Sequence, residues 1–258
     1  MQIIDGKKVA EETRKKVAEE VKVLEKKPCL AVVLVGEDPA SKIYVSKKHK
    51  MCAEVGIISL KHELPECTEE KDIINLIDEL NEKDDVNGIL IQLPLPKSID
   101  KNKVLARVKP EKDVDGFHPL NAGKLMTGQE CLKSCTPRGV MKLLDYYGIE
   151  PMGKDAVVIG KSIIVGTPMA EMLKNASATV SICHSKTKEL KHYTQYADII
   201  VSAVGKKDLI TEDMVKAGVV AIDVGMNKVD GKLYGDFDFE NVSKKASYMT
   251  PVPGGVGP

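Results

Sequence analysis

Residues 157–170 read VVIGKSIIVGTPMA, and the fold turns on how this stretch is read. An apolar strand ending at Ile159 runs into Gly160, and an apolar helical pattern follows from Gly166. That is the frame of a dinucleotide-binding turn, in which a strand passes through glycine into a helix N-terminus. The G-x-G-x-x-G fingerprint is incomplete here. Ser162 takes the place of its second glycine, and Gly166 arrives one residue late. Gly160 still permits the tight turn and Gly166 still permits close helix packing. Ser162 adds a hydroxyl donor and Lys161 a positive charge where phosphates would lie over the helix end. A glycine-bearing turn that holds no ligand accounts for the loop alone, so the weight falls on the next strand.

An NAD site carries Asp or Glu at the tip of that strand, about 20 residues on, to hold the ribose 2′-hydroxyl. Here TVSICHSKTK (179–188) ends in His184, Ser185, Lys186 and Lys188, with no carboxylate until Glu189. A basic, hydroxyl-rich tip suits a 2′-phosphate, which a carboxylate would repel. The pair of segments therefore reads as an NADP site.

Outward from this loop, strands alternate with helices: strand 155–160, helix 166–175, strand 178–184, helix 187–195, strand 197–204, helix 211–217, strand 219–225. Three strand–helix units in sequence predict a doubly wound nucleotide-binding half. The first half repeats the rhythm, with strands at 29–36, 57–64 and 87–95. Helices fall at about 41–55, closed by Gly56, and about 69–83, with Thr68 as the expected N-cap. The segment 108–128, VKPEKDVDGFHPLNAGKLMTG, breaks the pattern and reads as a linker or a functional loop. Thr136-Pro137 then looks like the capped start of a new helix. The expected architecture is α/β with two domains. An N-terminal α/β substrate domain spans 1–135, and a Rossmann-type domain spans 136–258.

The 258 residues carry equal numbers of acidic and basic side chains, 38 of each, so no net field recruits nucleic acid or an anionic membrane. The N-terminal 21 residues, MQIIDGKKVAEETRKKVAEEV, form an amphipathic pattern with Val9, Val17, Val21 and Leu24 on one face, unlike a signal peptide. No apolar run approaches the roughly 18 residues of a membrane span. Six scattered cysteines predict reduced thiols in a cytoplasmic protein. Cys131 and Cys135 have metal-like spacing but no second ligand pair, so no metal site is expected.

Three features of the first half carry chemistry. Tyr44 and Lys48 lie four apart in SKIYVSKKHK (41–50) and share a helix face. Gln92 sits at the end of a buried strand in IQLPLP, where the prolines stop strand pairing. Asp113 and Asp115 lie in KDVDGFH (112–118). A lysine beside a tyrosine in a cleft suits proton transfer. Each has a plainer alternative: Lys48 as a solvated surface residue, Tyr44 as a packing residue, Gln92 as a strand cap, and the aspartates as turn formers before Gly116.

Taken in order, SKIYVSKKHKMCAEVGI (41–57), GILIQLPLP (88–96), KPEKDVDGFHPLNAGKL (109–125), CTPRGVMKLL (135–144), VVIGKSIIVGTP (157–168), AIDVGMN (221–227) and YMTPVPGGVGP (248–258) carry a resemblance. The chain resembles the bifunctional methylenetetrahydrofolate dehydrogenase/methenyltetrahydrofolate cyclohydrolase family from end to end. The resemblance implies a folate-binding catalytic domain, an NADP-binding domain and an active-site cleft between them. It implies oxidation of 5,10-methylenetetrahydrofolate by NADP⁺ to the methenyl cation, then hydrolysis to 10-formyltetrahydrofolate, in the one-carbon metabolism that feeds purine biosynthesis.

The resemblance also implies residue roles. Lys48 is the expected acid/base of the hydrolytic step, with Gln92 hydrogen-bonded to it. Tyr44 would line the folate and Asp115 would hold the pterin through its N–H edge. Pro253, Gly254 and Gly255 would bring backbone close to the substrate. Gly160, Lys161, Ser162, Ser185 and Met226 would contact NADP, and tetrahydrofolate derivatives and a homodimer are the expected partners. Two departures stand out. Relatives continue past the final proline with Met-Thr and a last helix, whereas this sequence ends at Pro258. Lys161 stands where many relatives carry arginine, giving phosphate a point charge and no bidentate grip. A shikimate- or amino-acid-type dehydrogenase would explain 155–225 but not Tyr44, Lys48, Gln92 and KDVDGFHP together. A folate- or nucleotide-binding protein without activity is the third reading.

Overall fold

In the computed structural model, which describes residues 1–258, the chain opens with a short strand, β1 (Gln2–Ile3), and a helix, α1 (Gly6–Lys22). There follow β2 (Cys29–Val35), α2 (Pro39–Val55), β3 (Ile58–Leu64), α3 (Glu70–Glu82), β4 (Gly88–Ile91), α4 (Lys101–Leu105) and α5 (Pro119–Met126). The remainder holds α6 (Cys135–Tyr146), β5 (Asp155–Ile159), α7 (Gly166–Asn175), β6 (Thr179–Cys183), α8 (Leu190–Thr194), β7 (Ile199–Ser202) and β8 (Val220–Asp223). A hairpin of β9 (Asn227–Val229) and β10 (Lys232–Tyr234) precedes α9 (Phe239–Val242) and β11 (Tyr248–Met249).

The chain divides into two compact units, Glu12–Lys133 and Met1–Glu11 with Ser134–Pro258. The break lies beside the expected one, but Met1–Glu11 go with the second unit. The cause is strand pairing: Gln2 lies opposite Tyr248 and Ile3 opposite Met249, in parallel. Along α1, Val9 and Val21 are buried and Val17 half-buried, as the amphipathic pattern predicts. Leu24 lies beyond the helix and is exposed.

Unit Glu12–Lys133 is built on a parallel sheet ordered β3-β2-β4. The run CLAVVLV is buried almost throughout, as a strand covered on both faces must be. On one face Ala31, Val33, Ile89 and Ile91 pack with Ile73, Ile77 and Leu80 of α3. On the other, Val32, Leu34 and Leu90 meet Val45 of α2. Helix α2 starts two residues before the expected position, because Asp38 accepts the Ser41 N–H (2.7 Å) and Pro39 occupies the first turn. It closes at Gly56, φ +84°, as predicted. Thr68 is not the cap of α3. Its N–H is turned back to the Pro65 carbonyl (3.0 Å), and Glu69 becomes the extended boundary residue.

The second unit carries a six-stranded parallel sheet ordered β1-β11-β8-β7-β5-β6. Val157, Ile159, Ile200, Ala221 and Met249 share its core with Ile210, Val215 and Phe237. Three predicted details differ. Helix 211–217 is only a 3₁₀ turn, Glu212–Met214, because Val215 turns extended (φ −127°, ψ 149°) and buries its side chain. Helix α8 is confined to Leu190–Thr194, because residues 184–187 close a turn of their own through the Thr187 N–H to His184 carbonyl bond (2.8 Å). Thr136 lies inside α6, whose boundary residue is Ser134; the Ser134 hydroxyl donates to the Ile164 carbonyl (2.5 Å).

Candidate active site

In the Glu12–Lys133 unit, α2 carries Tyr44 and Lys48 one turn apart, which puts both on one side of the helix. Lys48 reaches the end of β4: its Nζ lies 3.2 Å from Gln92 Oε1. The amide of Gln92 is held at both ends. Its backbone N–H continues the sheet to the Val33 carbonyl (2.8 Å), and its Nε2 donates to the Leu93 carbonyl (2.8 Å). Strand pairing stops one residue later at Leu93-Pro94, a cis peptide, since proline cannot donate to a ladder. The half-buried Lys48 ammonium is thus fixed by an oriented acceptor, while the Tyr44 ring remains exposed. Lys48 and Gln92 are brought together, against the reading of Lys48 as a solvated surface residue.

The two aspartates of KDVDGFH have separate positions. Asp113 is 4% exposed and accepts from the His118 N–H (2.8 Å) and from Asn121 Nδ2 (2.9 Å). It also forms a bridge with Ile89 of β4. It fixes the loop, as the turn-forming reading holds. Asp115 is half-buried two residues further on.

Pro253, Gly254 and Gly255 lie in the other unit, against the start of α1. The Gly6 N–H donates to the Gly254 carbonyl (3.0 Å) and the Gly255 N–H to the Pro251 carbonyl (2.9 Å). Gly254 has φ +107°, and a Cβ on Gly255 would lie 2.6 Å from the Pro251 carbonyl oxygen. Backbone, rather than side chain, is what this loop presents.

The VVIGKSIIVGTP turn packs tightly at both of its glycines. Gly160 is at φ +124°, and a Cβ there would lie 2.9 Å from the Ala203 carbonyl oxygen. A Cβ on Gly166 would come within 2.1 Å of the Gly160 carbonyl oxygen. Both glycine positions therefore require glycine, and the late arrival of Gly166 keeps the close approach of helix to turn. Ser162 Oγ accepts the N–H groups of Val165 (3.1 Å) and Gly166 (3.3 Å), which shapes the loop around the first turn of α7. Lys161 is exposed beside it. At the tip of β6, His184 and Thr187 close a turn (His184 N–H to Thr187 Oγ1, 2.9 Å) that leaves Ser185 and Lys186 exposed. Met226, beyond β8, is 56% exposed. This donor set of hydroxyl, ammonium and backbone N–H groups, without a carboxylate, fits an NADP 2′-phosphate and pyrophosphate.

A buried carboxylate pair at the same sheet edge escaped the sequence reading. Asp223 and Asp236 are 4% and 0% exposed. Asp223 accepts from the N–H groups of Gly225 (3.0 Å), Asp236 (2.9 Å) and Phe237 (3.0 Å). Burial pushes its carboxyl up to about 6, with the charge of Asp236 adding to the rise and the N–H bonds opposing it. Only the DVG and GDFD spacings hint at the pair, and neither spacing says that they meet. No disulfide joins the six cysteines, no group of three or more His, Cys, Asp or Glu side chains forms a metal cluster, and no helix is long and apolar enough to cross a membrane.

Comparison with known proteins supplies the remaining step. The family model for the tetrahydrofolate dehydrogenase/cyclohydrolase catalytic domain matches residues 4–115, and that for its NAD(P)-binding domain matches residues 134–258. The chain is 55% identical, over its whole length and 93% of the relative's, to the bifunctional protein FolD of Nitratiruptor sp.. It is similar in structure to the bifunctional FolD methylenetetrahydrofolate dehydrogenase/cyclohydrolase of Campylobacter jejuni, with TM-score 0.99, 52% identity, and 100% and 93% of the two chains covered. It is also similar to the Trypanosoma brucei enzyme solved with NADP cofactor and inhibitor, with TM-score 0.93, 38% identity, and 99% and 91% covered. Two domain models in order and full-length identity above half leave one assignment: the chain belongs to the tetrahydrofolate dehydrogenase/cyclohydrolase family.

Proposed function

We propose that the protein oxidises 5,10-methylenetetrahydrofolate with NADP⁺ and hydrolyses the methenyl product to 10-formyltetrahydrofolate. The observation that carries this reading is the Lys48–Gln92 pair beside Tyr44, in a chain that also holds a carboxylate-free nucleotide loop. The oxidation needs no side-chain acid. A hydride leaves the one-carbon bridge as an electron pair with its proton, and the two flanking nitrogens of the folate stabilise the cation left behind. NADP⁺, when bound, supplies the hydride acceptor. The chain's contribution to that step is orientation and exclusion of water.

Hydrolysis does need a proton carrier. Water adds to the methenyl carbon and loses a proton, and a carbon–nitrogen bond of the ring then breaks as the departing nitrogen gains one. Lys48 is the group proposed to move these protons, with the Gln92 carbonyl oxygen fixing the direction of its N–H bonds. Tyr44 offers the folate a flat aromatic face, and Asp115 a carboxylate for the paired N–H donors of the pterin. The backbone of Pro253–Gly255 would contact the substrate. Gly160, Lys161, Ser162, Ser185 and Met226 would contact NADP, Ser185 at the 2′-phosphate. A cytoplasmic homodimer completes the proposal.

Lys48→Met tests the division of labour. The variant should lose methenyltetrahydrofolate hydrolysis, by roughly 100-fold or more for a general acid–base group, and keep NADP⁺ binding. Hydrolysis at the wild-type rate would remove Lys48 from the mechanism.

A further inference from the structure

The proposed nucleotide contacts lie on loops that follow β5, β6 and β8, and the last of these shares a fastening with the loop after β7. At its centre is Asp236, just beyond the β9–β10 hairpin. One carboxylate oxygen, Oδ2, accepts from Ser202 Oγ (2.8 Å), the Val204 N–H (2.9 Å) and the Gly205 N–H (3.4 Å). The other, Oδ1, accepts from the Lys206 N–H (2.8 Å) and from Asn227 Nδ2 (3.3 Å). Five donors from two loops therefore converge on one fully buried side chain. Ser202 closes β7, so the carboxylate seizes the chain where it leaves the sheet. Residues 203–206 then run past Gly160, whose α-position packs on the Ala203 carbonyl. Asn227 stands next to Met226 on the loop after β8.

We infer that Asp236 is a positioning residue for nucleotide binding: it holds the loops 203–206 and 224–227 in the one arrangement that leaves the carboxyl edge of β5 open to a dinucleotide. This rests on the proposed NADP site and adds a residue that touches neither nucleotide nor folate in that reading. Three observations favour a device for placement over ordinary packing. An isolated buried carboxylate is costly, and this one is retained by donors that belong to the loops themselves. Its backbone is anchored independently: the Ile210 N–H donates to the Asp236 carbonyl (3.0 Å) and the Asp238 N–H to the Ile210 carbonyl (2.9 Å). The side chain is therefore a fixed post to which the backbone of residues 204–206 is tied. Finally, no larger neighbour fits, since a Cβ on Gly225 would lie 2.0 Å from Asp236 Oδ1.

Asp236→Asn is the sharpest perturbation, because either oxygen replaced by NH₂ would turn a donor toward donors. Ser202→Ala is the milder companion, removing one bond and no charge. Two readouts are taken on each: amide hydrogen exchange in 203–206 and 224–227, and NADP⁺ dissociation constant with the KM and kcat of the dehydrogenase reaction. The expected result is faster exchange confined to those two loops, with KM and Kd for NADP⁺ raised roughly tenfold or more in Asp236→Asn. A smaller rise is expected in Ser202→Ala, and kcat at saturating nucleotide should change far less than KM. Unchanged exchange, or loosened loops with wild-type NADP⁺ affinity, would overturn the inference. So would a loss of methenyltetrahydrofolate hydrolysis in step with the loss of reduction, which would make Asp236 a general structural residue. Wild-type protein that failed to bind NADP⁺ would refute the proposed function instead, and the exchange measurement would still decide whether Asp236 holds the loops.

Discussion

Replacing Asp223 by asparagine should change how the stability of the protein depends on pH, by an amount the structure sets. The Asp223 carboxyl is 4% exposed, and its titration is pushed from an ordinary 3.8 to about 6. Its folded value lies above its unfolded value, so between the two the folded state binds the extra proton. The stability this group contributes is present below about pH 4 and is lost as pH rises through 6. The gap from 3.8 to about 6, at about 1.4 kcal/mol per pH unit, comes to about 3 kcal/mol. Most of it falls between pH 4 and 7. Asparagine cannot ionise, so Asp223→Asn lacks this slope. Its poorer acceptance from the Gly225, Asp236 and Phe237 N–H groups adds an offset that does not vary with pH. Urea melts of both proteins at half-unit steps from pH 4 to 7.5 give the difference in unfolding free energy. Wild type should lose about 2 kcal/mol relative to the variant across that range. A flat difference, or one that grows in favour of wild type as pH rises, would show that Asp223 does not titrate at a raised value in the folded protein.

Other perturbations follow from the same geometry. Ser185→Asp puts a carboxylate at the exposed tip of β6 and should weaken NADP⁺ far more than NAD⁺; an unchanged ratio of their dissociation constants would move the specificity elsewhere. Gly166→Ala drives a methyl into the Gly160 carbonyl oxygen, 2.1 Å away, and should cost about 1–3 kcal/mol in stability together with NADP⁺ affinity, read by thermal melts and titration. Gly139→Ala is the contrast: it lies inside α6 with nothing within 4 Å of the added methyl. It should raise stability by about 0.5–1 kcal/mol, and a lowered melting temperature would count against the packing described here.

The alternation of strands and helices was legible because parallel strands buried on both faces are continuous apolar runs, as in CLAVVLV and VVI. Gly56 and Gly166 were legible because each has a backbone task that little else can perform. The closing of β1 on β11 was not, since it joins residues 2 and 248 through two-residue strands with no periodicity to read. Nor was the 3₁₀ turn at Glu212–Met214: a helical pattern across 211–217 gave way to the burial of Val215. In the first unit, Lys48 and Gln92 taken as residues each had an ordinary surface or capping reading; the family resemblance paired them, and the 3.2 Å contact between residues 44 positions apart is what brings them together. Asp113 and Asp115 look equivalent in sequence and are separated by tertiary hydrogen bonding, which buries one of them under His118 and Asn121. Asp223 and Asp236 were missed for the same reason: nothing local announces that two carboxylates share a buried site.

A single reaction followed at two wavelengths, with methylenetetrahydrofolate and either NADP⁺ or NAD⁺, records reduced nucleotide and methenyl product together and tests both proposed activities at once. The expected result is reduction with NADP⁺ preferred and no build-up of methenyl product, because hydrolysis at Lys48 keeps pace. Methenyl product that accumulates and decays only at its spontaneous rate, or no reduction with either nucleotide, would contradict it.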